Sequence, residues 1–415
     1  MKTKLCTVLM VSAALSMFLP LFVGSSLAGE PSDAGEALFE PGPGQQPYFD
    51  LLHISEAWEI CRGDPSCLVG VVDTGFDFFH PALDGNLLPG YFAPGVFHTN
   101  SYGMLGHGTS VASLIVARHT ETEGLVGFAP ECRALAASIG MPEHKLVKMQ
   151  HAFAAANPNA TMSDFQQEMV KHTTELKDFG RTWIDYVTRT TAEGIRYLVD
   201  HDARVINMSA FLGKQILMMY PEFATRLDEA FAYAHDHDVV VVLGAGNSAT
   251  EVIDYPGSAE SVIIAGACTL AGERWEEMVE HRGLEIKQGT CFGPRLGVMA
   301  PMDNIPAAVP HEKAFYEIEH SPMGRAEDAT FKGAYEIHAT GATSMATPIV
   351  ASLVALVRSL RPELPAAEVV AIIEQGAVDM GEPGRDPMTG CGRVDFLKTL
   401  ELARNWRSTK SAGAR

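Results

Sequence analysis

The sequence has no C-x-x-C pair and no H-E-x-x-H spacing, so none of its cysteines or histidines is grouped as zinc ligands are. Positive charge is scarce. Lys and Arg number 31 against 51 Asp and Glu, a formal net charge of −20. That balance implies no basic surface and argues against a nucleic-acid partner. Beyond the first 28 residues no apolar run is expected to span a bilayer. No internal repeat is visible.

What is present suits an exported, globular chain. Its 415 residues are 47% hydrophobic, enough to bury one large core or two ordinary ones. Residues 1–28 read as an export signal: Lys2 and Lys4 open it, Leu5 to Val23 is almost wholly apolar, and Ser26-Leu27-Ala28 offers small residues for cleavage. A retained anchor is the competing reading. The expected location is secreted or periplasmic, with no membrane span once the signal is removed. Six cysteines then remain: Cys61, Cys67, Cys132, Cys268, Cys291 and Cys391. An even number in an exported protein suggests disulfides, and Cys61 and Cys67, flanking the turn-rich "RGDPS", are the best candidate pair.

Residues 29–49 are rich in Gly, Pro and acid and read as a flexible leader, and 406–415 as a tail. Between them, over 50–405, short apolar β-branched runs alternate with helical patterns. Strands are expected at 67–72, 133–138, 204–209, 239–244 and 261–267, and helices at 107–117, 182–201, 223–236, 344–360 and 366–375. Such alternation predicts an α/β fold, a mostly parallel sheet covered by helices on both faces. Polar stretches at 141–180 and 311–333 read as insertions. In such sheets ligands sit beyond the carboxyl ends of the strands.

Four residues at those places stand out. Asp73 ends the first apolar run, where it is either a loop cap or a buried functional carboxylate. His107 lies between two glycines at a helix start in "GHGTSVASLIVA". A cation is disfavoured there by the helix dipole, but a neutral imidazole base is not. "VVVVLGAGNSA" imitates a dinucleotide-binding turn, yet Tyr255-Pro256-Gly257 follows instead of a helix and the next strand ends in no acid. What that loop does present is the amide of Asn247. Ser344, in "ATGATSMATPIVAS", is either a helix N-cap or a nucleophile at the positive end of a helix. Together the four meet the needs of acyl transfer. A serine needs a base, the base needs a carboxylate, and the oxyanion needs donors.

These segments resemble the subtilisin-like serine proteases from about Tyr48 to Leu402. "VVDTGFDFFHPAL" is similar to that family's aspartate segment, "GHGTSVASLIVA" to its histidine segment and "GATSMATPIVAS" to its serine segment. Asp73…His107…Ser344 is also the chain order of subtilisin. The resemblance implies a three-layer α/β fold and a monomeric endopeptidase acting on polypeptides. Asp73 would orient, His107 serve as base then acid, Ser344 attack, and Asn247 donate to the oxyanion. It further implies substrate-binding roles for Ser209, Ala210, Phe211, Gly244 and Asp254. A carboxylate at Asp254, near the S1 floor, would favour Lys or Arg, unless it is a solvated loop acid. No cofactor is required. The structural calcium site common in the family is doubtful, because "HPAL" has Ala82 where an acidic ligand is usual. Ala342 stands where relatives have Gly, and the leader is too short for a folded pro-domain. A catalytically silent scaffold that binds peptides is the alternative.

Overall fold

The computed structural model describes residues 40–42, 44–78, 80–94, 106–118, 125–139, 156, 173–209, 220–251, 261–281, 284–308, 335–340 and 342–408. The expected signal at 1–28, most of the leader, the 311–333 insertion, 141–172 of the other save residue 156, and the end of the tail lie outside them.

Seven strands form one parallel sheet in the order β2-β3-β1-β4-β5-β6-β9. They are β1 (Leu68–Asp73), β2 (Leu87–Phe92), β3 (Arg133–Ser138), β4 (Ala203–Met208), β5 (Val240–Gly244), β6 (Val262–Cys268) and β9 (Val298–Pro301). Successive side chains alternate between two apolar layers. Val69, Val71, Ala134, Val205, Val240 and Val242 face the core shared with α3 (His107–Val116), α6 (Ala342–Leu360), α7 (Ala366–Gly376) and α8 (Phe396–Asn405). Val72, Leu135, Ile206, Val241 and Leu243 face α4 (Thr173–Asp200) and α5 (Pro221–Asp236). A strand buried on both faces has no polar side, which is why these read as continuous apolar runs. Gly70 has a packing reason, since a Cβ there would come within 2.7 Å of Leu198 on α4.

Among the described residues there are also two antiparallel pairs, β7 (Glu276–His281) with β8 (Leu284–Gly289), and β10 (Asp303–Ala308) with β11 (Tyr335–Thr340). Near the amino terminus α1 (Gln46–Leu52) and α2 (Ile54–Trp58) bury Tyr48, Phe49 and Trp58 in the first core layer. The packed structure thus takes in the last residues of the expected leader, and at the other end Trp406 donates to Glu368. Residues 173–180, expected in an insertion, are the first turns of α4.

Two expectations are corrected. None of the six cysteines is bridged in this structure, Cys61 and Cys67 included. Separately, α6 is long and apolar enough to cross a bilayer, contrary to the reading that nothing after residue 28 is. Its apolarity has another cause, because the helix runs through the middle of the fold and is buried along nearly its whole length.

Candidate active site

Parallel register brings the site residues to one edge. Val71 pairs with Asn207 and Asn207 with Val242, so two residues further on Asp73, Ser209 and Gly244 stand in a row at the carboxyl ends of adjacent strands. Ligands bind at such edges.

Asp73 is fully buried, and its Oδ1 accepts from Thr74 N at 2.6 Å and from His107 Nδ1 at 2.8 Å. The loop after β1 also holds the start of α3. Gly108 N donates to Thr74 O at 2.8 Å and Thr109 N to Gly75 O at 3.1 Å, which pairs two of the amides a helix start leaves open. Gly108 must be small, since a Cβ would meet the Phe76 ring at 2.8 Å. Gly106 and Gly75 take left-handed backbone at φ 71° and 68°, at no cost to glycine. His107 is about a quarter exposed, with 24% of its side chain open to solvent. Burial opposes its cation, but the Asp73 carboxylate, by charge and by hydrogen bond, outweighs burial and lifts its pKa above the ordinary imidazole value.

Asn247 follows the Gly244–Gly246 turn and is exposed. Its Oδ1 accepts from Thr343 N at 3.1 Å and from Thr343 Oγ1 at 2.7 Å. A backbone N–H can only donate, so this contact fixes which end of the amide is oxygen and turns Nδ2 away from Thr343. Thr343 Oγ1 also accepts from Gly246 N at 3.2 Å, tying the loop to the start of α6.

Ser344 is the third residue of α6 and half-buried. Its surroundings are set by Pro348, which has no N–H to give to the carbonyl four residues back, the carbonyl of Ser344. Ser209 supplies the missing donor, Oγ to Ser344 O at 2.8 Å. In return Ser344 Oγ donates to Ser209 O at 3.3 Å. Among the described contacts no hydrogen bond joins Ser344 to His107. Ala342, one step before Thr343, has φ 51°. A left-handed backbone is what a glycine there would accept freely, and alanine does not.

Asp73 and His107 are therefore joined directly, Asn247 is joined to the residue beside Ser344, and Ser209 is joined to Ser344 itself. Gly244 packs under α6, where a Cβ would meet Thr347 Oγ1 at 3.1 Å. Ala210, Phe211 and Asp254 lie outside the described residues. Reading the sequence missed Thr343 as the anchor of Asn247 and Thr74 as the partner of Asp73, and gave Ser209 to substrate alone. The Thr-Ser pair before Pro348 was the available signal. No group of three or more His, Cys, Asp or Glu able to hold a metal is found among the described residues.

A family model described as the Subtilase family matches residues 64–392. A thermophilic serine proteinase of Bacillus sp. (strain AK1) is 27% identical over 335 residues, 80% of this chain and 60% of that protein. Fervidolysin of Fervidobacterium pennivorans is 28% identical over 355 residues, 83% of this chain and 42% of that one. The chain thus spans less than two thirds of the length of either relative. The crystal structure of fervidolysin, described as a keratinolytic enzyme related to subtilisin, superposes with a TM-score of 0.58 at 25% identity. That match covers 89% of this chain and 48% of fervidolysin.

Proposed function

The chain belongs to the subtilase family, and from that premise we propose that it is an exported serine endopeptidase that cleaves polypeptides through an acyl-enzyme. The observation that carries the reading is the 2.8 Å bond from His107 Nδ1 to Asp73, at the same sheet edge as Ser344 and Asn247. With Nδ1 held, Nε2 is left as the base. In the proposed mechanism the Ser344 hydroxyl leaves the Ser209 carbonyl for that nitrogen. Catalytic hydrogen bonds of this kind are often long or misaligned until substrate is bound.

In the proposed reaction Ser344 Oγ attacks the scissile carbonyl as His107 takes its proton, and Asp73 stabilises the imidazolium. Asn247 Nδ2 and the Ser344 N–H donate to the tetrahedral oxyanion. His107 returns the proton to the leaving amine, and water then hydrolyses the ester by the same steps in reverse. A basic P1 preference rests on Asp254 alone. Export rests on the basic start and apolar run of residues 1–28.

A fluorophosphonate probe and a peptide library test the reading together. Labelling of Ser344, with hydrolysis abolished in a folded Ser344→Ala variant, is the expected result. Unchanged hydrolysis in that variant sinks the assignment of the nucleophile, and absence of both labelling and hydrolysis favours the silent peptide-binding scaffold. A library preference for large apolar P1 residues, unmoved by Asp254→Ala, rejects the basic specificity.

A further inference from the structure

Cys67 and Cys132 each stand one residue ahead of a core strand. β1 begins at Leu68 and β3 at Arg133, and these two are register partners in adjacent parallel strands. Neighbouring strands lie about 4.7–4.9 Å apart. That spacing falls within the roughly 4.4–6.8 Å between Cα atoms that a disulfide spans. Both side chains are buried, and both reach the same turn of α6. Cys67 Sγ is 3.5 Å from Ala355 O and Cys132 Sγ is 3.6 Å from Ser359 Oγ, while Ser359 Oγ donates to Ala355 O at 2.8 Å.

Both thiols thus lie against one pair of α6 oxygens, Ala355 O and Ser359 Oγ. A hydrogen bond from Cys132 holds Cys67 below the ordinary thiol value against its burial, with help from Ser359, Arg358 and Arg204. The same bond, together with burial, pushes Cys132 up. Cys61 is half-buried, and its loop passes close over Cys132: Gly63 has φ 117°, and a Cβ there would come within 2.7 Å of Cys132 Sγ.

We propose that Cys67 and Cys132 form a buried disulfide site that ties the start of β1 to the start of β3, and that Cys61 is no partner in it. The oxidant is an external disulfide, RSSR. The Cys67 thiolate attacks one of its sulfurs and expels RS⁻, which takes up the proton Cys67 lost and leaves as RSH. Cys132, deprotonated in its turn, attacks the Cys67 sulfur of the mixed disulfide and expels the second RSH. Two protein thiols are oxidised to one disulfide, and RSSR is reduced to two RSH. Because α6 covers both sulfurs in the folded chain, the exchange belongs to folding.

Refolding the full chain in a mixture of oxidised and reduced glutathione tests the site. Free thiols are trapped with N-ethylmaleimide in acid, and the digest is mapped without reduction. The expected map has one linked pair, Cys67 with Cys132, and every other cysteine alkylated. Closing so long a loop also constrains the unfolded chain, so the oxidised protein should melt several degrees above the same protein kept in dithiothreitol. Cys61→Ser should keep the link and the difference in melting, and Cys132→Ser should lose both. A Cys61–Cys67 link, any other link that leaves Cys67 and Cys132 alkylated, or a map with every cysteine alkylated overturns the proposal. Should Cys132→Ser fail to fold, the wild-type and Cys61→Ser maps still decide it.

Discussion

The two halves of the candidate site are held in opposite ways. On the base side, Asp73 and His107 meet through a direct side-chain bond, and the left-handed backbone next to them falls on Gly75 and Gly106. On the nucleophile side, left-handed backbone falls on Ala342, proline interrupts the helix ladder at Pro348, and the Ser344 hydroxyl turns to the Ser209 carbonyl. The first half is set in place without strain. The second is held by side chains from other strands and loops that repair local breaks. Strain of this kind persists only where surroundings over-determine it. Changes on the base side should therefore act through chemistry and pH, and changes on the nucleophile side increasingly through stability.

The largest effect expected from this contrast is that of Asp73→Asn. It keeps the shape of the site but removes the charge that fixes and stabilises the imidazolium, and kcat should fall by about 10⁴, as in the serine-protease template. The pH profile separates this from a merely structural loss. Activity needs neutral His107, whose pKa stands above the ordinary value, so kcat/KM should decline as pH falls through that raised pKa. Without the carboxylate only burial acts, and the acid limb should move to lower pH. The ion pair also contributes stability that is full below the unfolded-state pKa of about 6.5 and is lost as pH rises through the folded value. An acid limb that stays in place in the variant would detach His107 from Asp73.

Next in size is Asn247→Ala, for which loss of the oxyanion donor should lower kcat about 10²–10³-fold, the range known for a subtilisin. Thr343→Val sharpens the same point. It keeps the backbone N–H to Asn247 Oδ1 and deletes the hydroxyl bond, so kcat should fall by only part of that range, with KM little changed. Equal losses in the two variants would mean that the hydroxyl does more than orient the amide.

Ser209→Ala probes the repair at Pro348. The Ser344 carbonyl loses the donor that replaces the missing N–H, and leaving such a group unpaired costs about 1–3 kcal/mol. Urea unfolding would show this as a lower midpoint at unchanged slope. A midpoint equal to that of the wild type would show that another donor reaches the carbonyl.

What could be read from the chain follows the same division. β3 is where its apolar run places it and β1, β4, β5 and β6 lie within a residue of theirs, because a strand buried on both faces writes its burial into every position. β2 was hidden by "LLPGYF", whose proline and glycine break the pattern, and β7 and β8 by their mixed polar faces. α1 was taken for leader because Gly and Pro precede two aromatic residues whose burial only the fold reveals. Asp73, His107, Asn247 and Ser344 were visible because each sits in a local motif with its own backbone logic. Thr343 was not, and Ser209 was read for substrate but not for its bond to Ser344, since their partners lie 96 and 135 residues away. The cysteines show the same limit, for spacing favoured Cys61–Cys67 whereas strand register sets Cys67 beside Cys132.

Ala342→Gly is the smallest change and the cleanest test of where strain resides. At φ 51° the Cβ of an L-residue crowds the following carbonyl, a cost of roughly 1–2 kcal/mol that glycine escapes. Glycine in turn loses more backbone freedom on folding, by about 0.5–1 kcal/mol. The balance favours glycine by roughly 0–1.5 kcal/mol, so the variant should unfold at a slightly higher urea concentration with an unchanged slope. Since the backbone already holds the left-handed conformation, Ser344 and Thr343 need not move, and kcat should stay within about twofold of wild type. The parallel change on the base side, Gly106→Ala, should do the reverse, because it puts a Cβ on a backbone of φ 71° that now bears none. If both substitutions destabilise by similar amounts, the methyl of Ala342 contributes packing that outweighs its strain, and the contrast between the two halves fails at that residue.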